Sequence, residues 1–244
     1  MTGPVRIRSG IPGLDEIVGG GLPSNSLIVI SGDPGSGKST LCTQFLVAGA
    51  TQFNENGVFI SLEESEEEVI RSAGYYGWDL AALTKGGRLK IITIELYDFD
   101  KLKNTIEDAV SSVGARRMVI DPGVIFRLYF ERELDARKRI MSLGRMLKRI
   151  NCTAWITNEI ALDAPMSLFG LEEYVADGVI LMYHTKYQDR FVRSVGVLKM
   201  RGTTFSEKLH PMVLTDNGVH IFADKELFEP AAVQTPAPDR RRDR

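Results

Sequence analysis

The chain has 244 residues, with 30 Lys or Arg against 32 Asp or Glu, which gives a formal net charge of −2. With 43% hydrophobic and 25% charged residues, the composition is typical of a globular protein and excludes a disordered chain, a collagen and a coiled coil. The balanced charge leaves no overall field that would attract nucleic acid.

Short apolar segments alternate with amphipathic segments along most of the chain. The apolar segments are rich in β-branched residues, as buried strands are, and comprise residues 26–31, 57–62, 89–94, 117–121, 152–157 and 178–183. Helical patterns lie between them, at residues 38–50, 66–76, 98–112 and 134–150. This alternation predicts an α/β fold with a mostly parallel central sheet and helices on both faces.

The pattern changes after residue 178. Residues 210–215 and 219–222 flank Asp216-Asn217-Gly218, a hairpin turn signal, so the sheet is expected to end in antiparallel strands. Residues 230–244 are rich in Pro, Ala and Arg without apolar periodicity, which predicts a disordered tail. No internal repeat is present, and residues 1–229 are therefore interpreted as one domain.

A glycine-rich segment follows the strand at 26–31 and opens the helix at 38–50. It matches the pattern G-x-x-x-x-G-K-[ST], whose backbone N–H groups surround phosphate oxygens, with residues Gly32, Asp33, Pro34, Gly35, Ser36, Gly37, Lys38 and Ser39. Lys38 is expected to reach the β- and γ-phosphates, Ser39 to hold Mg²⁺, and Thr40 to contact the α-phosphate. The alternative is a glycine-rich turn that only caps a helix. No Asn-Lys-x-Asp guanine-reading motif occurs in the chain, which favours ATP.

Carboxylates follow two of the other predicted strands. The strand at 117–121 ends in Asp121, which is interpreted as the second Mg²⁺ ligand, although many strands end in Asp as a turn residue. The strand at 57–62 is followed by Glu63 and Glu64, which are candidates to orient and deprotonate water at the γ-phosphate. An acidic helix start explains the next three glutamates, because Ser65 and Glu68 form a capping-box pattern, but it does not explain these two.

These residues resemble the single-domain, KaiC-like branch of the RecA superfamily of ATPases. The resemblance extends over nearly the whole chain and includes residues 10–23 before the phosphate loop. Leu62-Glu63-Glu64 resembles the family's paired catalytic glutamates, and Thr157-Asn158-Glu159 resembles its sensor segment. Lys199-Met200-Arg201-Gly202 resembles its Lys-x-Arg-Gly motif.

The resemblance implies a P-loop, RecA-like fold and Mg²⁺-dependent ATP hydrolysis by a homo-oligomeric ring, usually a hexamer, with ATP between subunits. It also implies that Lys199 and Arg201 reach the γ-phosphate held by the adjacent subunit. The two residues alternate along the sequence, and we expect them to lie on one face of one strand. A regulatory or recombination-related task is the implied cellular role.

The sequence also departs from the family pattern. Phe205 stands where a His often follows the Lys-x-Arg-Gly motif, which puts nucleotide affinity or base preference in doubt. Glu173-Tyr174 stands where the clock members carry an adjacent Ser and Thr, so no self-phosphorylation is expected there. Pro122-Gly123 follows Asp121 in place of the commoner Ser, and this predicts a sharp turn.

Two other functions remain open at the level of the sequence. A nucleotide-gated scaffold would bind ATP and a partner with little hydrolysis. A recombinase accessory protein would bind single-stranded DNA through residues 122–132, where Phe126, Arg127, Tyr129, Phe130 and Arg132 interleave aromatic and basic side chains. A helix or subunit contact is the alternative for that loop. The loop at 161–171 contains no Lys or Arg, which argues against a phosphate track.

The chain carries no sign of membrane insertion or export. Its N-terminus lacks the apolar core of a signal peptide, and its apolar runs are far shorter than the ~20 residues of a membrane span. Cys42 and Cys152 lie in apolar segments and read as reduced packing residues. A cytoplasmic location with no membrane partner is expected.

Overall fold

The structure is a computed structural model that describes residues 5–94, 99–122, 133–159 and 175–227. The strands within these ranges are β1 (Arg6–Ile7), β2 (Leu22–Pro23), β3 (Leu27–Gly32), β4 (Gly57–Ser61), β5 (Leu89–Thr93), β6 (Arg117–Asp121), β7 (Thr153–Glu159), β8 (Gly178–Tyr187), β9 (Arg190–Met200), β10 (His210–Thr215) and β11 (Gly218–Ile221). The helices are α1 (Leu14–Ile17), α2 (Lys38–Gln52), α3 (Glu66–Gly74), α4 (Leu80–Lys85), α5 (Phe99–Val113) and α6 (Glu133–Arg149).

Nine of the strands form one sheet in the order β11-β10-β9-β8-β3-β7-β6-β4-β5. The strands from β8 to β5 run parallel to their neighbours, and β9, β10 and β11 continue the sheet in antiparallel pairs. β1 and β2 pair separately. The predicted α/β fold, mostly parallel with antiparallel C-terminal strands, is confirmed.

The two faces of the sheet bury separate apolar clusters. On β3, Ile28 and Ile30 belong to the cluster on the face that α2 covers, whereas Leu27 and Val29 belong to the other. Phe45 of α2 stacks on Trp155 of β7 with ring centroids 4.1 Å apart. The opposite face is covered by apolar residues of α5 and α6. β3 is therefore buried on both sides, which explains its uninterrupted apolar sequence.

The observed boundaries differ from the sequence-based ones by one or two residues at most positions. The helices α1 and α4 and the short pair β1 and β2 are not indicated by the sequence pattern, because each is shorter than two helical turns or consists of two residues. The hairpin turn is confirmed, but Gly218 begins β11 rather than ending the turn.

The register of the sheet gathers the ends of four parallel strands at its carboxyl edge. Gly32 of β3 pairs with Glu159 of β7, and Ser61 of β4 pairs with Asp121 of β6. β7 lies between β3 and β6. The phosphate-loop strand and the strand that ends in Asp121 are thus separated by one strand rather than adjacent.

Several sequence-based interpretations fall outside the described residues. These are the aromatic and basic loop with Phe126, Arg127, Tyr129, Phe130 and Arg132, the loop at 161–171, the pair Glu173-Tyr174 and the tail at 230–244. Across the ranges that the structure describes, no helix has both the length and the apolar character needed to span a membrane.

Candidate functional site

The phosphate loop connects β3 to α2. Gly35 and Gly37 have φ angles of 74° and 100°, a left-handed backbone that favours glycine. α2 begins at Lys38, and no side chain caps its first N–H groups. The Ser36 hydroxyl is buried and has no hydrogen-bond partner among the described residues. Uncapped N–H groups at the start of a 15-residue helix, together with an unpartnered buried hydroxyl, suit an anionic ligand such as phosphate.

The loop is fastened to the antiparallel part of the sheet. Asp33 accepts the His184 N–H in its carboxylate at 2.9 Å, and its own N–H donates to the Met182 carbonyl at 3.1 Å. Arg193 Nε donates to the Gly35 carbonyl at 3.0 Å. Among the residues predicted to bind nucleotide, Asp33 therefore has its side chain engaged with β8, and it contributes by shaping the loop.

Lys38 lies over the loop that precedes it. Its Nζ donates to the carbonyls of Gly32 at 2.9 Å and Asp33 at 3.1 Å. Burial lowers the pKa of Lys38, and the carboxylates of Glu159 and Asp121 oppose that shift. An ammonium group held in this position can neutralise charge on phosphate oxygens.

Asp121 is oriented by the strand that separates it from β3. Thr157 donates its hydroxyl to Asp121 Oδ1 at 2.5 Å, and the Leu62 N–H donates to the Asp121 carbonyl at 3.0 Å. The peptide bond to Pro122 is cis. Thr157 is therefore a further candidate site residue that spacing alone does not identify, although the resemblance of residues 157–159 to a sensor segment points to it.

Glu63 and Glu64 lie between the end of β4 and the start of α3. Ser65 caps α3 in a complete capping box with Glu68, so the helix begins at Glu66 and leaves both glutamates outside it. Burial raises the pKa of Glu64, and the negative charges of Asp121 and Glu68 raise it further. A carboxylate with a raised pKa is a better proton acceptor, as a general base requires.

A cavity of about 340 Å³ opens beside the phosphate loop. Ser39, Thr40 and Glu64 line it together with the aromatic side chains of Tyr76 and Trp78. The Tyr76 and Trp78 rings stack with centroids 4.9 Å apart, and the Tyr76 hydroxyl lies 3.2 Å from Thr40 Oγ1. Sequence reasoning missed these aromatic residues, because an aromatic cluster at a helix end is typical of core packing.

Lys199 and Arg201 lie toward the opposite end of the parallel strands, near the amino-terminal ends of β8 and β3; this end is called the amino edge below. Lys199 pairs with Val179, which pairs with Val29, three residues before Gly32. The Arg201 N–H donates to the Asp177 carbonyl at 2.8 Å, beside the start of β3. Five residues of strand separate that point from Gly32, a span of about 16 Å at 3.3 Å per residue. The structure therefore does not bring these cations to the phosphate loop of their own chain.

The expectation that the two cations share one strand is wrong for Arg201. β9 ends at Met200, and Arg201 lies in the turn that follows. A register irregularity between Val179 and Ile180 on the partner strand interrupts the regular pairing just before the strand ends. Arg201 is thus fixed by contacts to Asp177 and not by the strand ladder.

The residues that fit a Mg²⁺ ion are the Ser39 hydroxyl and the Asp121 carboxylate. Both are hard oxygen donors, which Mg²⁺ prefers, and a short protein ligand set leaves positions for water and phosphate oxygens. In the described part of the chain, no group of three or more His, Cys, Asp or Glu side chains forms a metal-binding cluster. The donor set is consistent with Mg²⁺ bound together with a nucleotide.

Comparisons with known proteins agree with this geometry. The chain matches the family model described as "ATPase: KaiC" over residues 7–226. It is 32% identical to a UPF0273 protein of Methanocaldococcus jannaschii, with 91% of this chain and 98% of that protein covered. It is 34% identical to the circadian clock oscillator protein KaiC of a Nostoc species, with 91% of this chain and 45% of the clock protein covered.

A solved structure is similar as well. The crystal structure of a KaiC-like protein from Pyrococcus horikoshii superposes with a TM-score of 0.82 at 32% sequence identity. The match covers 90% of this chain and 99% of that one.

Proposed function

Because the chain belongs to the KaiC family of ATPases, its function is of the ATP-binding ATPase type, and we propose that it hydrolyses ATP with Mg²⁺ at the interfaces of a head-to-tail homo-oligomeric ring. The observation that carries this proposal is the separation of the site into two parts. The phosphate loop, Asp121 and the paired glutamates gather at the carboxyl edge of the sheet, whereas Lys199 and Arg201 lie at the amino edge.

The phosphate loop binds the triphosphate. Its uncapped helix N-terminus and the buried Ser36 hydroxyl offer donors to phosphate oxygens, and Lys38 is placed to neutralise the β- and γ-phosphates. Ser39 and Asp121 would hold Mg²⁺, which would offset charge on those oxygens. Thr157 keeps the Asp121 carboxylate oriented toward this edge of the sheet.

Glu63 and Glu64 prepare the attacking water. Glu64 lines the cavity that Ser39 and Thr40 also line, and its raised pKa suits a group that accepts a proton from water. Glu63 adds negative charge beside it. We assign the proton acceptor to Glu64 and an orienting role to Glu63.

The nucleobase would stack in the aromatic part of the same cavity. The stacked rings of Tyr76 and Trp78 line the cavity that Thr40, the residue expected at the α-phosphate, also lines. Stacking of a base on an aromatic ring contributes about 1–3 kcal/mol and discriminates little among bases. Such stacking compensates for the replacement of the family His by Phe205, which packs against the core.

A second copy of the chain would supply Lys199 and Arg201. The ~16 Å between the two edges cannot be bridged within one chain, but a head-to-tail interface places the amino edge of one subunit against the carboxyl edge of the next. Repetition of such an interface gives a ring when the rotation between neighbouring subunits allows closure, as we propose here. The two cations would then stabilise charge on the γ-phosphate oxygens in the transition state. A regulatory or recombination-related role remains the proposed task.

Steady-state ATP hydrolysis with Mg²⁺ tests the proposal. The variant Glu63→Gln/Glu64→Gln should lose at least about a hundredfold in kcat, because the general base contributes 10²–10⁴-fold. The matched control Glu66→Gln/Glu67→Gln removes the same charge from the first turn of α3 and should retain wild-type turnover. The rate per subunit should fall on dilution as the oligomer dissociates. Tight ATP binding without turnover by the wild type would contradict the proposal and leave a nucleotide-gated scaffold.

A further inference from the structure

Asp177 lies at the amino edge of the sheet and connects three elements. Its carboxylate accepts the Leu27 N–H at the start of β3 at 3.1 Å and the Lys148 ammonium of α6 at 2.8 Å. Its own N–H donates to the Leu27 carbonyl at 2.7 Å, and its carbonyl accepts the Arg201 N–H at 2.8 Å. All four polar groups of this nearly buried residue are engaged, so its position is fixed.

Arg201 depends on Asp177 for its orientation. It lies beyond the end of β9, where no strand ladder holds it, and its backbone N–H is bound to the Asp177 carbonyl. Its guanidinium NH1 lies 3.7 Å from Asp177 Oδ1, while just over half of the side chain is exposed. One side of the guanidinium thus faces the carboxylate, and other N–H groups remain directed outward, where they can donate to an anion.

The arrangement concentrates cations around a single carboxylate. Lys199 lies on the same edge, and the charge of Asp177 favours its ammonium form against the effects of burial and of Arg201. Without the carboxylate, Lys199 and Arg201 would repel each other and the guanidinium would lose its attachment. A misplacement of about 1 Å in a charged group that acts on a transition state can cost about a hundredfold in rate.

We propose that Asp177 is a positioning residue that holds Arg201 in the orientation needed to reach the nucleotide of a neighbouring subunit. This inference rests on the proposed function. The competing explanation is that Asp177 only ties α6 to β3 through Lys148. The two explanations differ in what happens when the Lys148 contact alone is removed.

The variant Asp177→Asn removes the charge but keeps an oxygen that can accept the Leu27 N–H. It should lower kcat by about tenfold to a hundredfold while KM for ATP changes little, because the affected group acts on the transition state. The control Lys148→Gln should retain wild-type kcat. Equal losses in both variants, or no loss in Asp177→Asn, would overturn the proposal. If Asp177→Asn does not fold, Asp177→Glu keeps the charge at a shifted position, and the same fall in kcat with unchanged KM is expected.

A double-mutant cycle asks whether Asp177 acts through Arg201. In the Arg201→Ala background, Asp177→Asn should cause no further loss of kcat, because the group that it positions is already absent. Independent, multiplicative losses would contradict the proposal.

Mixing of subunits separates this proposal from the proposed function. Asp177→Asn subunits keep working glutamates, and Glu63→Gln/Glu64→Gln subunits keep the positioned cations. A random equal mixture should recover about a quarter of the wild-type rate per subunit, since one interface in four pairs the two intact parts. An inactive wild type refutes the proposed function, whereas an active wild type without recovery in the mixture refutes the role of Asp177 across the interface.

Discussion

The two ends of β6 carry charges of different kinds: a structural charge at the amino end and a candidate functional charge at the carboxyl end. At its amino end, the Arg117 side chain is fully buried and donates to Glu55 at 2.7 Å and to the carbonyls of Arg8, Ser9 and Phe45. Its guanidinium also lies over the Phe45 ring at 4.5 Å. Every part of this side chain is directed to holding the N-terminal segment and α2 on the sheet.

At its carboxyl end, Asp121 is only partly buried and accepts a single described side-chain hydrogen bond, from Thr157. The carboxylate retains lone pairs that can coordinate a cation. Only three residues therefore separate the Arg117 charge, which the fold engages completely, from the Asp121 charge, which retains bonding capacity. A charged side chain is therefore a candidate functional residue only where the described contacts leave part of its bonding capacity unused, as they do at Asp121 and not at Arg117.

The largest change is expected in the free energy of unfolding when Arg117, at the amino end of β6, is replaced. Arg117→Met should lower the free energy of unfolding by about 3–5 kcal/mol, because it leaves Glu55 and three carbonyls without their donor. Thermal unfolding should shift downward by about 10 °C. The neighbouring Arg116 is exposed, and Arg116→Met is the matched control with an unchanged midpoint. The ATPase rate per folded molecule should be retained; a selective loss of rate without a loss of stability would break the comparison.

The next largest change is expected in ATP turnover when Asp121, at the carboxyl end of β6, is replaced. Asp121→Asn keeps an acceptor for Thr157 but removes the charge, so ATP turnover should fall about a hundredfold or more while the unfolding midpoint changes little. A partial recovery at raised Mg²⁺ concentration should accompany the loss. Asp108→Asn, at an exposed position of α5, is the control of equal charge change. If Asp121→Asn lowered the free energy of unfolding as much as Arg117→Met does, both ends of β6 would have structural roles.

The smallest change concerns Gly49 of α2, which lies against the Arg117 side chain. A Cβ on Gly49 of α2 would lie 2.5 Å from Arg117 Cδ, so Gly49→Ala should cost about 1–3 kcal/mol by overpacking. In an Arg117→Ala background, whose side chain ends at Cβ and so lacks the atoms that crowd position 49, the same substitution should become neutral or stabilise by up to about 1 kcal/mol, because alanine favours the helix. Chemical denaturation of the four proteins measures the coupling. If the two substitutions changed the free energy of unfolding additively, the Arg117 side chain would not be the reason that position 49 is glycine.

Much of the fold could be predicted because its elements carry strong local patterns. The buried strands read as apolar runs, the α5 and α6 segments show helical periodicity, and the phosphate loop has a motif whose glycines and lysine have separate physical roles. Short elements such as α1 and α4 could not be predicted, since a helix of one turn has no period to detect. The long hairpin of β8 and β9 was recognised only in part, because its outer half is polar.

Many residues of the candidate site could be predicted one by one. The separation of the phosphate loop and carboxylates from Lys199 and Arg201 could not. Glu63, Glu64 and Asp121 stand out in the sequence because carboxylates follow apolar strands. Thr157 and the aromatic residues Tyr76 and Trp78 have no such signal, because their positions depend on the order of the strands and on the turn after α3, which lies against the start of α2.

The sequence by itself determined the class of fold, the phosphate-loop motif and the candidate reactive groups, because these depend on local periodicity and on motifs of neighbouring residues. Only the tertiary structure decided that the Arg117 charge is fully engaged within the fold, that Asp177 contacts Arg201, and that the cations of the Lys-x-Arg-Gly motif lie away from the phosphate loop of their own chain. Those facts follow from strand order, direction and register, which join residues far apart in the chain and leave no local trace in it.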